Sequence, residues 1–149
     1  MDEMSKVEEL THDTFSFGHG QDNPDGMRMQ FEYDENGART IVNIAEKFQG
    51  WPGIAHGGIV ATCLDEAMGH AVAGRMRSFS MSVELEVFYL APTMTKEDLL
   101  LEGKVVAMED RKISTVAELR RKCDNTLLAH AKALFIMVKG GEEELHEIS

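Results

Sequence analysis

The stretch Trp51–Gly69, WPGIAHGGIVATCLDEAMG, decides how the rest of the chain is read. A proline and the glycines Gly53, Gly57 and Gly58 lead into an almost wholly apolar run. From Gly57 to about Gly74, Ile59, Val60, Cys63, Leu64, Ala67, Met68, Ala71 and Val72 cover most of the circumference of a helix. Such a helix is about 27 Å long at 1.5 Å per residue. A helix that is apolar nearly all round belongs inside the protein rather than on its surface. Yet two adjacent carboxylates, Asp65 and Glu66, stand in its middle. A buried carboxylate costs several kcal/mol unless it is paired, hydrogen-bonded or protonated. Neighbours on a helix lie about 100° apart around its axis, so the two acids cannot share one environment. One is expected to face a crevice and the other to make a structural bond.

The flanking segments say what surrounds the helix. Residues 27–34 (MRMQFEYD) and 38–45 (ARTIVNIA) alternate in polarity around Glu35-Asn36-Gly37, a hairpin signal. Residues 46–56 read as a loop. After the helix, SMSVELEVFYL (80–90) alternates with period two and predicts a half-buried strand, with Met81, Val83, Leu85, Val87 and Tyr89 on one face. Three more strands are predicted over 98–108, 112–122 and 126–138, joined by turns at Glu109-Asp110 and Asp124-Asn125. The order β-β-α-β-β-β-β is satisfied by an antiparallel sheet that curls around one central helix, an α+β fold. A flat sheet with a surface helix would want a polar stripe, for which only Thr62, Asp65, Glu66 and His70 are available.

Composition narrows the function classes. The 149 residues suit a single domain over 1–149 with a real core. The net charge of −11 sits mostly at the ends: residues 1–13 carry five acids against Lys6, and residues 140–149 carry four acids and no base. These ends read as solvating, mobile tails. No clustered basic surface points to nucleic acid. No apolar run is long enough to span a bilayer, and MDEMSKVEEL lacks the apolar core of a signal peptide. Cys63 and Cys123 form no framework, so both are expected as reduced thiols in a cytoplasmic protein. No G-x-S-x-G elbow occurs. His12, His19, His70, His130 and His146 show no zinc-ligand spacing, and neither a metal nor another cofactor is expected.

The chain resembles the hotdog-fold thioesterases, in particular the group containing the phenylacetate-pathway and human acyl-CoA thioesterases, over roughly residues 15–138. The most specific element is His56-Gly57-Gly58 followed by six residues and Asp65, HGGIVATCLD. SMSVELEVFYLAP (80–92) is similar to the family's strand after the helix. GHGQDNPDGMRM resembles the Gly-x-x-Asn-Pro-x-Gly segment of relatives that carry cysteines there, with Ser16 and His19 at those positions. The resemblance implies a hotdog fold, a homodimer or homotetramer, sites at the subunit interface, and an acyl-CoA substrate.

It also implies roles residue by residue. Asp65 takes the catalytic acid's position, as a general base or a direct nucleophile. The first turn of a helix has unpaired N–H groups and a partial positive charge, and glycine admits a ligand to that backbone. The amides of Gly57 and Gly58 would therefore polarise the thioester carbonyl, worth roughly 3–4 kcal/mol per donor. His56 is expected to orient this loop. Ser82 and Gln49 match positions where relatives hold the carboxylate, water or carbonyl. Glu66, on the adjacent helix face, is grouped with Gly58 among the substrate-binding residues. Coenzyme A phosphates would call on Arg75 and Arg77 after the helix and on Arg111 and Lys112 at a β turn, with Arg120, Arg121 and Lys122 as further candidates. A non-catalytic acyl-CoA-binding hotdog protein is the alternative. A hotdog dehydratase, which relies on a catalytic histidine, fits HGG-x6-Asp poorly.

Overall fold

A computed structural model of the protein describes residues 15–76 and 80–138. Both acidic tails and Arg77 lie outside the described residues. The elements are β1 (Glu32–Tyr33), β2 (Gly37–Asn43), a 3-10 turn (Glu46–Phe48), α1 (Gly57–Met76), β3 (Ser80–Tyr89), β4 (Asp98–Glu109), β5 (Lys112–Arg121) and β6 (Leu127–Met137). The six strands form one antiparallel sheet in the order β1-β2-β4-β5-β6-β3. The sheet wraps α1, which makes contact with β2, β3, β4, β5 and β6. This is the expected hotdog fold. Among the described residues no helix is long and apolar enough to cross a membrane.

Small residues let the helix sink into the sheet. Val60, Cys63, Leu64, Ala67, Met68, Ala71 and Val72 are all buried, against inward residues such as Leu99, Leu101, Leu119, Leu128 and Phe135. Burying each large side chain of this kind contributes about 1.5–3 kcal/mol. At the closest crossing Gly103 of β4 faces the backbone of Ala67, and a Cβ on Gly103 would collide with the Ala67 carbonyl. Ala129, Ala131 and Ala133 of β6 are buried beneath the helix in the same way.

Two strands depart from the alternation read in the sequence. Of residues 27–34 only Glu32–Tyr33 joins the sheet. The residues before it pair instead with the N-terminal turn, Met27 N–H donating to Phe17 O (2.8 Å) and Met29 N–H to Gly18 O (2.9 Å). The polarity pattern there reflects packing onto the core without a strand partner: Met29 is buried, Met27 and Phe31 partly so.

β3 is not half-buried. Among the described residues it is one of the two edges of the sheet, opposite β1, and nearly every residue in it is exposed, including Met81, Val83, Leu85 and Tyr89. A bulge also breaks its period between Ser82 and Glu84. Ser82 pairs with Phe135, and beyond the bulge Leu85, Val87 and Tyr89 pair with Ala133, Ala131 and Ala129. Directly paired residues share a sheet face, so Ser82 lies on the same, helix-facing side as Leu85, Val87 and Tyr89. Strict alternation would have turned it away.

The Gly103 crossing generates a stability prediction. Gly103→Ala is expected to destabilise the protein by about 1–3 kcal/mol, the scale of overpacking a close contact. Urea unfolding would read this as a lower midpoint with an unchanged slope. An unchanged midpoint would mean that the helix and β4 can separate without cost.

Candidate active site

The loop before α1 is built from the residues the sequence singles out. Gly53 occupies the left-handed region (φ 77°), which glycine tolerates without strain. Its N–H donates to Gln49 Oε1 (3.0 Å), so the Gln49 carbonyl is engaged inside the loop, while its NH2 group meets no partner among the described residues. His56 N–H donates to Phe48 O (2.9 Å) and Ala55 N–H to Thr93 O (2.8 Å), tying the loop to the segment after β3.

At the helix start the two glycine amides differ. The Gly58 N–H donates to His56 Nδ1 (2.9 Å). The amide that the sequence reading offers to a substrate at Gly58 is thus capped by the His56 ring. Among the described residues no partner meets the Gly57 N–H. A residue that sequence reasoning did not single out fixes this position. Tyr89, at the end of β3, donates its hydroxyl to Gly57 O (2.7 Å) and so pins the helix start to the sheet edge.

Asp65 and Glu66 sit in different environments. Asp65 is partly buried, and its Oδ1 is enclosed without a hydrogen-bond partner. Burial pushes its pKa up, a hydrogen bond with the Ser82 side chain opposes this, and the Glu66 charge adds to the rise. Ser82 reaches it because of the β3 bulge.

Glu66 is bound on both sides. Its Oε2 lies 3.1 Å from His19 Nδ1 and 3.3 Å from His70 Nε2. Burial would raise its pKa, but hydrogen bonds and charge from His19 and His70 hold it down at about 2. The Glu66 carboxylate, which the sequence reading groups with the substrate-binding residues, is engaged within the chain. The sequence held one overlooked signal. His70 stands at i+4 from Glu66, on the same helix face.

This hydrogen-bonded group extends further. The Tyr33 hydroxyl lies 2.7 Å from His70 Nδ1, and Ser16 Oγ lies 3.1 Å from His19 Nδ1. Ser16, His19 and Glu66 have the residue types of a hydrolytic triad without its geometry. Serine and acid meet the same ring nitrogen, so no proton can be relayed across the imidazole. Cys63 is no nucleophile either, since burial pushes its thiol pKa up to about 12. His130, for its part, stacks on Phe88 (4.7 Å between centroids).

The basic candidates divide between the two ends of the sheet. Arg75 lies in the last turn of α1, and Arg111 and Lys112 lie at the β4–β5 turn. Lys112 pairs with Ile136 and Ser80 with Met137, so all three residues stand at the end of the sheet nearest the helix C-terminus. Arg111 Nε donates to Met137 O (2.9 Å). At the opposite end Arg120 pairs with Glu118, and Arg121 with Asp124 and Glu97. A groove of about 980 Å³ on the outer face of the sheet, lined by Arg39, Ile41, Leu100 and Glu102 among others, takes in Arg120 of the candidate residues and neither Asp65 nor Gly57.

One distance governs what this arrangement can do. Gly57 and Asp65 are eight residues apart on a continuous helix, hence about 12 Å along its axis. No single carbonyl can touch both within one chain.

Comparison with known proteins places the chain. The sequence profile of the thioesterase superfamily matches residues 52–128, from the loop before α1 to the start of β6. An acyl-coenzyme A thioesterase from Xenopus laevis, THEM4, is 35% identical over 88 residues, covering 59% of this chain and 39% of that protein. The chain spans between about two fifths and just over half the length of the curated THEM4 relatives it matches. A thioesterase-superfamily protein of known crystal structure, RHA08564, superposes with a TM-score of 0.76 at 29% identity, covering 83% of this chain and 60% of that one. A Streptococcus pneumoniae hypothetical thioesterase solved with coenzyme A shares the fold, with a TM-score of 0.67 at 15% identity over 73% of this chain and 84% of that one. With more than half of its length matched by the profile, the chain belongs to the thioesterase superfamily.

Proposed function

We propose that the protein hydrolyses acyl-coenzyme A thioesters, releasing a carboxylic acid and the CoA thiol, in sites shared between two copies of the chain. The observation that carries this reading is the contrast between the two helix carboxylates. Glu66 is held by two histidines, while Asp65 keeps a buried oxygen with no partner beside Ser82. An acid left under-satisfied in an apolar setting is disposed to take a proton or to attack a carbonyl. The Xenopus relative described as an acyl-coenzyme A thioesterase, and the pneumococcal thioesterase solved with coenzyme A, support the substrate class.

Asp65 either takes a proton from water as its oxygen attacks the thioester carbon or attacks that carbon itself. In both routes the carbonyl oxygen gains negative charge, which the Gly57 N–H would stabilise. The C–S bond then breaks. In the first route the proton held by Asp65 passes to the leaving thiolate. In the second the thiolate is protonated from water, which then hydrolyses the acyl–Asp65 anhydride to free the acid and restore the carboxylate. Because Gly57 and Asp65 of one chain are about 12 Å apart, a working site takes Gly57 and Gln49 from one copy and Asp65 and Ser82 from its partner. The free edge of β3, with Met81, Leu85 and Tyr89 exposed, is the surface such a partner would cover. Arg75, Arg111 and Lys112 are the cations we assign to the CoA phosphates.

Asp65→Asn keeps size and shape. It is expected to lose at least about 100-fold in kcat on an acyl-CoA panel, the usual scale for a general base. Affinity for a non-hydrolysable acyl-CoA analogue should stay within about tenfold of the parent, because the acid serves the reaction rather than docking. Equal losses in both, by thiol-release kinetics and calorimetry, would remove Asp65 from the chemistry. A parent that binds the analogue yet cleaves no ester would be a binding protein.

The shared site has a sharper test. Gly57→Pro deletes the amide hydrogen while suiting the first position of a helix, and a Cβ there makes only ordinary contact with Tyr89. This variant is expected to lose about 100- to 1000-fold in kcat. Unfolded and refolded together one-to-one, Gly57→Pro and Asp65→Asn should regain about a quarter of parental activity, from mixed dimers with one intact site. A mixture as inactive as its components would place each site within a single chain.

A further inference from the structure

His19, Glu66 and His70 form a second cluster, on a helix face different from that of Asp65. Glu66 and His70 are one turn apart on α1, and His19 reaches them from the turn at residues 15–20. Their potential ligand atoms all lie within 4.8 Å of one another. Two ring nitrogens converge on one carboxylate oxygen, at 3.1 and 3.3 Å. In a tetrahedral site with metal–ligand bonds of 2.0–2.1 Å, the edge between two ligand atoms is about 3.3 Å.

The surroundings resemble those of a ligand set more than those of a plain ion pair. His70 is buried, stacked on Phe31 (4.3 Å), and its other nitrogen meets Tyr33 (2.7 Å), which fixes the ring with Nε2 toward the cluster. Metal-bound histidines use their second nitrogen in this way. Gly18 leaves the space that Glu66 occupies, since a Cβ there would collide with the carboxyl group.

Hydrogen bonding alone leaves His19 poorly served. Its Nε2 is buried with no partner among the described residues, with or without an ion on Nδ1. If Nδ1 carries a proton for Glu66, it must share that proton with the Ser16 oxygen 3.1 Å away, which already accepts from the His19 N–H (3.4 Å). If Nδ1 is bare, two lone pairs face each other across 3.1 Å. A cation resolves that opposition. We propose that His19 Nδ1, Glu66 and His70 Nε2 bind one divalent first-row cation of the zinc type, with water or the Ser16 hydroxyl at a fourth position. Two imidazoles and one carboxylate suit zinc and its neighbours and suit magnesium poorly. Closing the cluster onto the ion asks for side-chain adjustment of about an ångström. The ion would clamp the N-terminal turn to α1 and is not a participant in the thioester chemistry.

The test uses the full chain, stripped with a chelator and titrated with zinc chloride by calorimetry, with magnesium chloride as the contrast. One zinc per chain is expected, retained when His12 and His146 are both changed to alanine. His19→Ala should weaken zinc binding at least about 100-fold and Tyr33→Phe by about tenfold. Cobalt(II) should give visible absorption with the parent and none with His19→Ala. Should His19→Ala fail to fold by circular dichroism, Glu66→Gln, which keeps the shape and removes the charge, carries the same expectation. Zinc binding equal in the parent and in these variants, or absent from the parent, overturns the site and leaves a hydrogen-bonded staple. None of these readings depends on thioester turnover, so the outcome is separable from that of the proposed hydrolysis.

Discussion

The close crossing of α1 over β4 is the constraint on which the rest of this fold depends. Ala67 and Gly103 bring two backbones nearer than any larger side chains would permit. With the helix this deep, nearly every position around it faces protein, and a polar residue on it needs a partner. Alanines along β6 extend the same close fit sideways. The cost falls on the two acids in the middle of the helix, which need partners from the next turn or from elements packed around it.

Those partners divide the acids into two kinds. Glu66 draws in His19 from forty-seven residues upstream and His70 from the next turn. Breaking that arrangement on either side would strand a charge in a setting where it costs several kcal/mol. It thereby fastens the N-terminal turn, whose Asn23-Pro24-Asp25-Gly26 corner closes through Asp25 N–H to Asn23 Oδ1 (2.9 Å). Asp65 receives a single hydroxyl, from Ser82. One acid is stabilised by structure and the other is left poised.

The sequence disclosed the helix because small apolar residues crowd every side of it, and the last three strands because their alternation and turns are regular. The Asn36-Gly37 hairpin was legible for the same reason, with Asp34 Oδ1 accepting from both turn amides. Three features were not legible. A pattern of buried methionines looks like a strand whether or not a neighbour completes the ladder, and residues 27–31 have none. A one-residue bulge leaves no mark on composition yet reverses the face of Ser82 relative to strict alternation. Contacts such as Tyr89 to Gly57, or His19 to Glu66, join residues far apart in the chain, and spacing carries no information about them. Gly58 shows the converse: a glycine at a helix start looked like an open amide until the ring of His56 was seen to occupy it.

The edge strand and the catalytic geometry proposed above would impose the same requirement. β3 exposes apolar side chains along a free sheet edge, an arrangement that proteins rarely leave uncovered. The Gly57 amide and the Asp65 carboxyl, meanwhile, lie on one rigid helix at a separation that no loop motion can shorten. A second copy related by a two-fold axis meets both demands together. Its strand edge would cover β3, and its helix, running the opposite way, would bring the start of one helix beside the middle of the other. In that arrangement Tyr89 matters twice, for it lies on the edge to be covered and holds the first helical carbonyl in position. Assembly and chemistry would then share one surface, and the stability of the pair would set how well the reacting groups are aligned.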